Sequence, residues 1–314
     1  MHQVIERLCA NVERVFIGNP KVVKLAVTSL VARGHLLLED APGLGKTLLA
    51  RSLARSLSAT FQRIQFTPDL LPSDITGVSV FDPATRSFSF VEGPVFTEIL
   101  LADEINRTSP RTQAALLECM EEGQVTVEGH SRKLSDPFFV LATQNPVELA
   151  GTYPLPEAQL DRFLMRLELG YPGPEDEIRI LEVHGNGSSP ADLEVVTDLA
   201  GLRQIQAAAD KLEVGPQMHQ YIVAIAAASR NREGVALGVS PRGSLSLLRA
   251  AKAYAYVEGR TWLGPDDIKA VAPSVLGHRI LLDAQGEVGG KRGSDLVREI
   301  LDEVPVPILP HVEA

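Results

Sequence analysis

Apolar positions Val4, Ile5, Leu8, Val12, Val15 and Phe16 recur at helical spacing and stop at Gly18-Asn19-Pro20. This predicts a helix, a turn and a second helix running through Leu30. Ile17 and Gly18 fall at the turn, where the backbone could approach a flat base; a plain helix terminus accounts for them equally well. The pattern then changes. Leu36-Leu37-Leu38 is an unbroken apolar run that ends in a Gly/Pro turn, and Leu and Ala resume helical spacing from Thr47 to Ser58. Phe61 to Phe66 reads as a strand. Between Gly77 and Phe96 the chain alternates, with Val78 and Val80 before a turn at Asp82-Pro83-Ala84-Thr85 and Phe88 and Phe90 after it. That is a hairpin carried as an insertion, although an ordinary pair of sheet strands would show the same period.

Ile99-Leu100-Leu101-Ala102 is a second continuous apolar run, closed by Asp103-Glu104. Runs of this kind suit strands buried on both faces of a parallel sheet. Ser109 as cap, Pro110 in the first turn and Gly123 as terminator frame a helix carrying Leu116, Leu117 and Met120. Val125/Val127 and Arg132/Leu134 flank Glu128-Gly129-His130-Ser131 as another hairpin. Phe138 to Ala142 is a further buried strand, ending in Thr143-Gln144-Asn145-Pro146. Glu157 to Phe163 reads as a short helical segment with Asp161-Arg162 on its exposed side. Pro172-Gly173-Pro174 is the clearest linker. Beyond it the spacing is nearly all helical, in Glu175 to His184, Asp198 to Leu212, Gln217 to Ser229, Ser244 to Val257 and Pro265 to Val271, interrupted by a loop from Gly185 to Pro190.

The candidate chemistry sits where apolar strands end. Between the first strand and its helix lies Asp40-Ala41-Pro42-Gly43-Leu44-Gly45-Lys46-Thr47-Leu48, the layout of a nucleoside-triphosphate phosphate loop. Polyphosphate is a dense anion, and backbone N–H groups surround it only where no side chain intrudes, hence Gly43 and Gly45. Lys46 can reach the β and γ phosphates as a mobile charge, and the Thr47 hydroxyl can join a Mg²⁺ shell of hard oxygen ligands. The first glycine of the usual pattern is replaced by Asp40, which tolerates turns but brings a charge. Asp103 is placed to hold Mg²⁺ and Glu104 to orient and deprotonate an attacking water. Asn145 could hydrogen-bond the γ-phosphate or that water, or serve only as turn chemistry before Pro146.

Composition narrows the partners. At 314 residues the chain has room for two domains, and its 45% hydrophobic and 22% charged residues are those of a globular protein. A net charge of −10 argues against a general nucleic-acid binder, which needs a basic footprint. The two cysteines, Cys9 and Cys119, fit no metal or disulfide spacing, so a reduced cytoplasm is expected. Met1 to Ala10 carries Glu6 and Arg7 instead of the apolar core of a secretory leader. No run is long enough to insert into a membrane, since Lys24, Arg33 and His35 interrupt Val22 to Leu38.

Together, Asp40 to Thr47, Asp103-Glu104-Ile105-Asn106-Arg107, Ala142 to Pro146, Leu160-Asp161-Arg162-Phe163 and Ser240-Pro241-Arg242-Gly243 resemble the AAA+ ATPases, and within them the MoxR family with its magnesium-chelatase relatives. The resemblance covers most of the chain. It implies an α/β fold: a three-layer αβα P-loop core with a parallel sheet over residues 1–172, then a smaller all-α lid over 173–314. It implies ATP and Mg²⁺ as cofactors, with Thr47 and Asp103 toward the metal. Asn145 resembles the sensor of the γ-phosphate, Arg242 the second sensor from the lid, and Arg162 the arginine finger that reaches a neighbouring subunit's nucleotide. Arg107 resembles an aid at that interface, and Ile17 and Gly18 match the position against adenine. The two hairpins resemble the helix-2 insertion and the pre-sensor hairpin of one AAA+ clade. A hexameric homo-oligomeric ring, acting on a partner with a von Willebrand factor A domain as a remodelling or maturation factor, is what the family leads one to expect. The alternatives are a metal-chelatase motor subunit and a nucleic-acid motor, the latter disfavoured by the acidic balance.

Overall fold

The computed structural model describes residues 1–41, 43–84, 86–145, 151–185, 187–284, 286 and 290–307. Pro42 and Pro146 therefore lie outside the described residues. In chain order the first part contains helices α1 (His2–Glu13) and α2 (Pro20–Val31), strand β1 (His35–Glu39), α3 (Lys46–Ser56), β2 (Phe61–Gln65), α4 (Pro72–Thr76), β3 (Gly77–Asp82), β4 (Ser87–Glu92), β5 (Ile99–Asp103), α5 (Pro110–Glu122), β6 (Gln124–Val127), β7 (His130–Lys133), β8 (Phe139–Gln144), α6 (Glu157–Leu160) and β9 (Phe163–Leu167). Then follow α7 (Pro174–Gly185), α8 (Leu199–Asp210), α9 (Pro216–Arg230), β10 (Val235–Leu237), α10 (Pro241–Val257), α11 (Pro265–Leu276), β11 (Leu281–Leu282) and α12 (Gly293–Glu303).

Five strands form one parallel sheet in the order β2-β5-β8-β1-β9. Alternate residues of a strand face opposite sides, and the core follows that rule. Leu36, Leu38, Leu101 and Leu141 point into an apolar cluster with α1, α2 and α3, whereas Leu37, Leu100, Ala102 and Val140 point into a second one with Leu116, Leu117 and Met120 of α5. Two faces covered by helices make the three-layer αβα architecture. The first cluster continues without a break into α8 to α12, through Leu202, Met218, Leu247, Ile268 and Val297.

Local chemistry sets the ends of these elements. Asn19 caps α2 by accepting from the Lys21 N–H, with Pro20 in the first turn; the Ser109 side chain accepts from the Thr112 N–H, and left-handed Gly123 closes α5. Both alternating stretches form antiparallel hairpins outside the main sheet. They lean on each other: the Ser79 hydroxyl donates to Glu128 Oε2 at 2.8 Å, and the Arg132 guanidinium lies 4.0 Å from the centre of the Phe90 ring.

Two expectations need correction. The helical segment expected from Glu157 to Phe163 ends at Leu160, and Phe163 instead opens β9, because Leu36 and Met165 side by side continue the buried sheet. The lid region also carries a small antiparallel pair, β10 with β11, and a last helix, α12, that the helical spacing had not marked out. Among the described residues no helix is long and apolar enough to cross a membrane.

Candidate active site

The carboxyl ends of β1, β2, β5 and β8 converge on one cleft, as expected of an open parallel sheet. Register decides which side chains meet. Gln65 of β2 is paired with Asp103 of β5, and Leu38 of β1 with Thr143 of β8, so Gln65, Asp103, Thr143 and the start of the phosphate loop stand at the same level. A cavity of about 480 Å³ opens there, lined by Gly43, Gly45, Lys46, Thr47, Asp103, Glu104, Thr143 and Asn145 among others.

The loop itself is held in a conformation few residues accept. Gly43 and Gly45 have φ of 87° and 88°, in the left-handed region where a Cβ is strained. Gly45 then hands over to α3, whose first residue is Lys46. Positive ends of helices favour anions, so the loop and α3 together form a phosphate cradle. Lys46 is nearly buried and its ammonium donates to the Asp40 carbonyl. Burial lowers its pKa, against the opposing pull of the Asp40, Asp103, Glu104 and Glu39 carboxylates.

Asp40, the departure from the usual loop pattern, has a clear structural role. Its Oδ2 accepts from the backbone N–H groups of Leu169 and Gly170, just beyond β9. The carboxylate thereby ties the phosphate loop to the segment that forms one wall of the neighbouring cavity. Burial raises its pKa, partly offset by those two N–H donors.

The acidic pair is more tightly fixed than a bare strand end would be. Asp103 Oδ2 accepts from Arg63 Nη2 at 2.7 Å and Oδ1 from the Thr143 hydroxyl at 2.6 Å. The same hydroxyl accepts from the Glu104 N–H at 2.9 Å. Glu104 has φ 59° and ψ 49°, a left-handed conformation that costs a residue with Cβ about 1–2 kcal/mol. Its Oε2 accepts from Gln65 Nε2 at 2.7 Å and from Arg107 Nη1 at 3.0 Å. Arg107 thus engages the acid of its own chain. Asn145 is buried beside them, and its carbonyl accepts from Asn106 Nδ2.

A second cavity, about 770 Å³, shares Gly43, Gly45 and Leu48 with the first. Its walls include Phe16, Ile17, Leu44, Leu169, Tyr171 and Ile180, with Asp176, Glu177 and His184 on one side, and its volume suits a small-molecule site. A partly apolar chamber joined to a glycine loop at a helix N-terminus could hold a nucleotide, with the base in the chamber. Ile17 and Gly18, which the resemblance matches to the position against adenine, line this chamber together with Leu44 and Leu48 of the loop region.

Arg162 and Arg242 do not line either cavity. Both line a separate cavity with Asp161, Arg249 and Arg279, and both pair with Glu121. Arg162 directly precedes β9, at the amino end of the sheet, whereas the phosphate loop leaves the carboxyl end of β1. A five-residue strand separates the two ends by roughly 17 Å. Neither arginine therefore meets the phosphate loop of its own chain in this structure. Sequence reasoning gave no role to Gln65, Arg63 and Thr143; Gln65 and Thr143 stand level with Asp103 at their strand ends and Arg63 reaches it from two residues earlier on β2, which is visible only once strand order is known.

The fold and the cleft define a P-loop nucleoside triphosphatase of the AAA type. A family model described as ATPase family associated with various cellular activities matches residues 35–165, and an AAA lid domain model matches 227–300. The chain is 47% identical to the protein YeaC of Bacillus subtilis, with 98% of the chain and 96% of YeaC aligned. It is 38% identical to chaperone MoxR1 of Mycobacterium tuberculosis, covering 96% and 82%, and 31% identical to MoxR of Methylorubrum extorquens, covering 94% and 93%. A crystal structure from Cytophaga hutchinsonii, assigned as an ATPase, superposes with a TM-score of 0.91 at 36% identity over 98% of this chain and 96% of that one. The chain belongs to the MoxR family of AAA+ ATPases, and its enzymatic activity is ATP hydrolysis.

Proposed function

We propose that this chain hydrolyses ATP with Mg²⁺ as part of a hexameric, cytoplasmic ring, and that hydrolysis remodels or matures a partner protein bearing a von Willebrand factor A domain. Residues 1–172 carry the nucleotide and 173–314 act as the lid. The observation that carries the ring is the placement of Arg162 and Arg242 at the end of the sheet away from their own phosphate loop. Catalysis of phosphoryl transfer is mostly positioning and charge neutralisation, and an arginine supplied by a neighbour contributes on the order of 10³ to 10⁵ in rate. A head-to-tail arrangement lets every chain both receive and supply that arginine.

Within one chain, the loop N–H groups and Lys46 bind the phosphates. Glu104, aimed by Gln65 and Arg107, orients a water and accepts its proton, while Asn145 reports the γ-phosphate. Thr47 and Asp103 line the same cavity and offer the hard oxygens that Mg²⁺ prefers. The ion would neutralise charge on the β and γ phosphates. The name chaperone of the relative from Mycobacterium tuberculosis supports the remodelling role.

Sedimentation velocity tests the ring. Glu104→Gln with ATP should sediment as a hexamer, and Lys46→Ala, which should lose nucleotide binding in titration calorimetry, as a smaller species. A full hydrolysis rate from a monomer would overturn the proposal.

A further inference from the structure

Helix α5 ends in Glu121-Glu122 before Gly123, two acids in the turn where the helix carries partial negative charge. That placement works against the helix, so its cause lies elsewhere. Glu121 Oε2 accepts from Arg162 Nε at 2.8 Å and Oε1 from Arg242 Nη2 at 3.1 Å. One carboxylate thus pairs with both arginines, which hold its pKa below the usual range, Arg162's hydrogen bond foremost. Asp161 differs. It also meets Arg242, at 3.3 Å, but it is anchored by the nearly buried Arg279, whose Nε donates to Oδ1 at 2.7 Å and whose Nη2 donates to the Asp161 carbonyl at 3.1 Å. Glu121 is over a third exposed, and an ion pair that exposed is weak enough to exchange.

We propose that Glu121 is a releasable counter-ion that occupies Arg162 and Arg242 in the free chain and yields them to the triphosphate of a docking neighbour. The idea rests on the trans role of these arginines proposed above. Asp161 remains as the fixed post that keeps Arg242 in place, and Glu121 sets how readily subunits engage. A carboxylate at this interface repels the incoming polyphosphate until the arginines exchange partners, so it discourages hydrolysis by partly assembled chains.

The test is ATPase rate against protein concentration at saturating ATP, for the full chain. With two exposed pairs removed, Glu121→Gln should lower the concentration for half-maximal rate by about three- to tenfold. The saturating rate should not fall, and Glu121→Asp should restore much of the wild-type concentration dependence. Glu122→Gln takes the same charge off the same helix end and controls for the helix; it should leave the curve in place. An unchanged half-maximal concentration in Glu121→Gln, with Arg162→Ala defective, overturns the counter-ion role and leaves the trans reading standing. A drop of more than tenfold in saturating rate overturns it too, by showing that Glu121 is needed with the arginines in their working position. If Arg162→Ala hydrolyses ATP normally, the trans reading itself fails and takes the proposal with it.

Discussion

Thr143 is the side chain on which the acidic pair depends most. Its hydroxyl has one proton to give, which goes to Asp103 Oδ1, and a lone pair that receives the Glu104 N–H. Thr143→Val keeps the shape and removes both bonds at a site only 1% exposed. A hydrogen bond to a charged group contributes about 1.5–3 kcal/mol, and a buried N–H left without an acceptor costs about 1–3 kcal/mol. The second loss matters for catalysis, because Glu104 sits in a left-handed conformation that it would leave without an anchor. If about 2–3 kcal/mol of that positioning is lost from the transition state, kcat falls roughly 30- to 160-fold. The KM for ATP should change little, since Lys46 and the loop glycines are untouched. Thr143→Ser keeps the hydroxyl and should recover most of the rate. The assay is steady-state ATP hydrolysis of all three proteins, with urea melts to confirm that they are folded. A Thr143→Val enzyme within threefold of wild-type kcat would refute the idea that this hydroxyl sets Glu104.

Other consequences can be measured separately. Asp40→Ala leaves the buried Leu169 N–H without its acceptor, costing about 1–3 kcal/mol, and should loosen the wall of the base chamber; titration calorimetry should show weaker ATP binding, and unchanged affinity would remove Asp40 from that role. His35 is buried and neutral, donating from Nε2 to the Met120 carbonyl and accepting the Val140 N–H at Nδ1, with its pKa lowered by burial to about 4. A base whose folded pKa lies below its unfolded value of 6.5 costs stability as pH falls from about 6.5 to about 4, here on the order of 3 kcal/mol. Buried His278, also lowered, acts in the same direction. Urea melts from pH 7 to 4 should therefore show a shallower acid loss in His35→Gln than in wild type, and equal slopes would contradict the assignment. Glu104→Gln should bind ATP with near-normal affinity yet turn it over at a small fraction of the wild-type rate.

Much of the fold can be read from residue pattern alone. β1, β5 and β8 are continuous apolar runs bounded by polar residues, and a strand buried on both faces has no other way to appear. β9 is hidden for a local reason: only Asp161 and Arg162 separate it from α6, with no Gly or Pro to mark the change of period. Helix α12 escaped although Leu296, Val297, Ile300 and Leu301 share its buried face, because it opens at Arg292-Gly293 with no Ser, Thr, Asn or Asp as N-cap and no first-turn Pro. The site divides in the same way. Gly43, Gly45, Lys46, Thr47, Asp103 and Glu104 lie in short segments whose chemistry is local. The function of Asp40 depends on Leu169 and Gly170, 129 and 130 residues away, and no local rule reaches that far. Likewise Glu121 looks like a misplaced helix residue until Arg162 and Arg242 are seen around it.

The central claim is that each ATP site is finished by the neighbouring chain, and mixed rings test it most directly. An Arg162→Ala subunit keeps Glu104 but has no arginine to lend, and a Glu104→Gln subunit lends its arginine but lacks the base. In rings mixed at random in equal parts, half the sites have Glu104 and half of those meet an intact arginine, so roughly a quarter of the interfaces are complete. The expected result is an ATPase rate well above that of either variant alone, approaching that fraction of wild type. A rate no higher than the sum of the two variants, in rings shown by native mass spectrometry to be mixed, would contradict the claim.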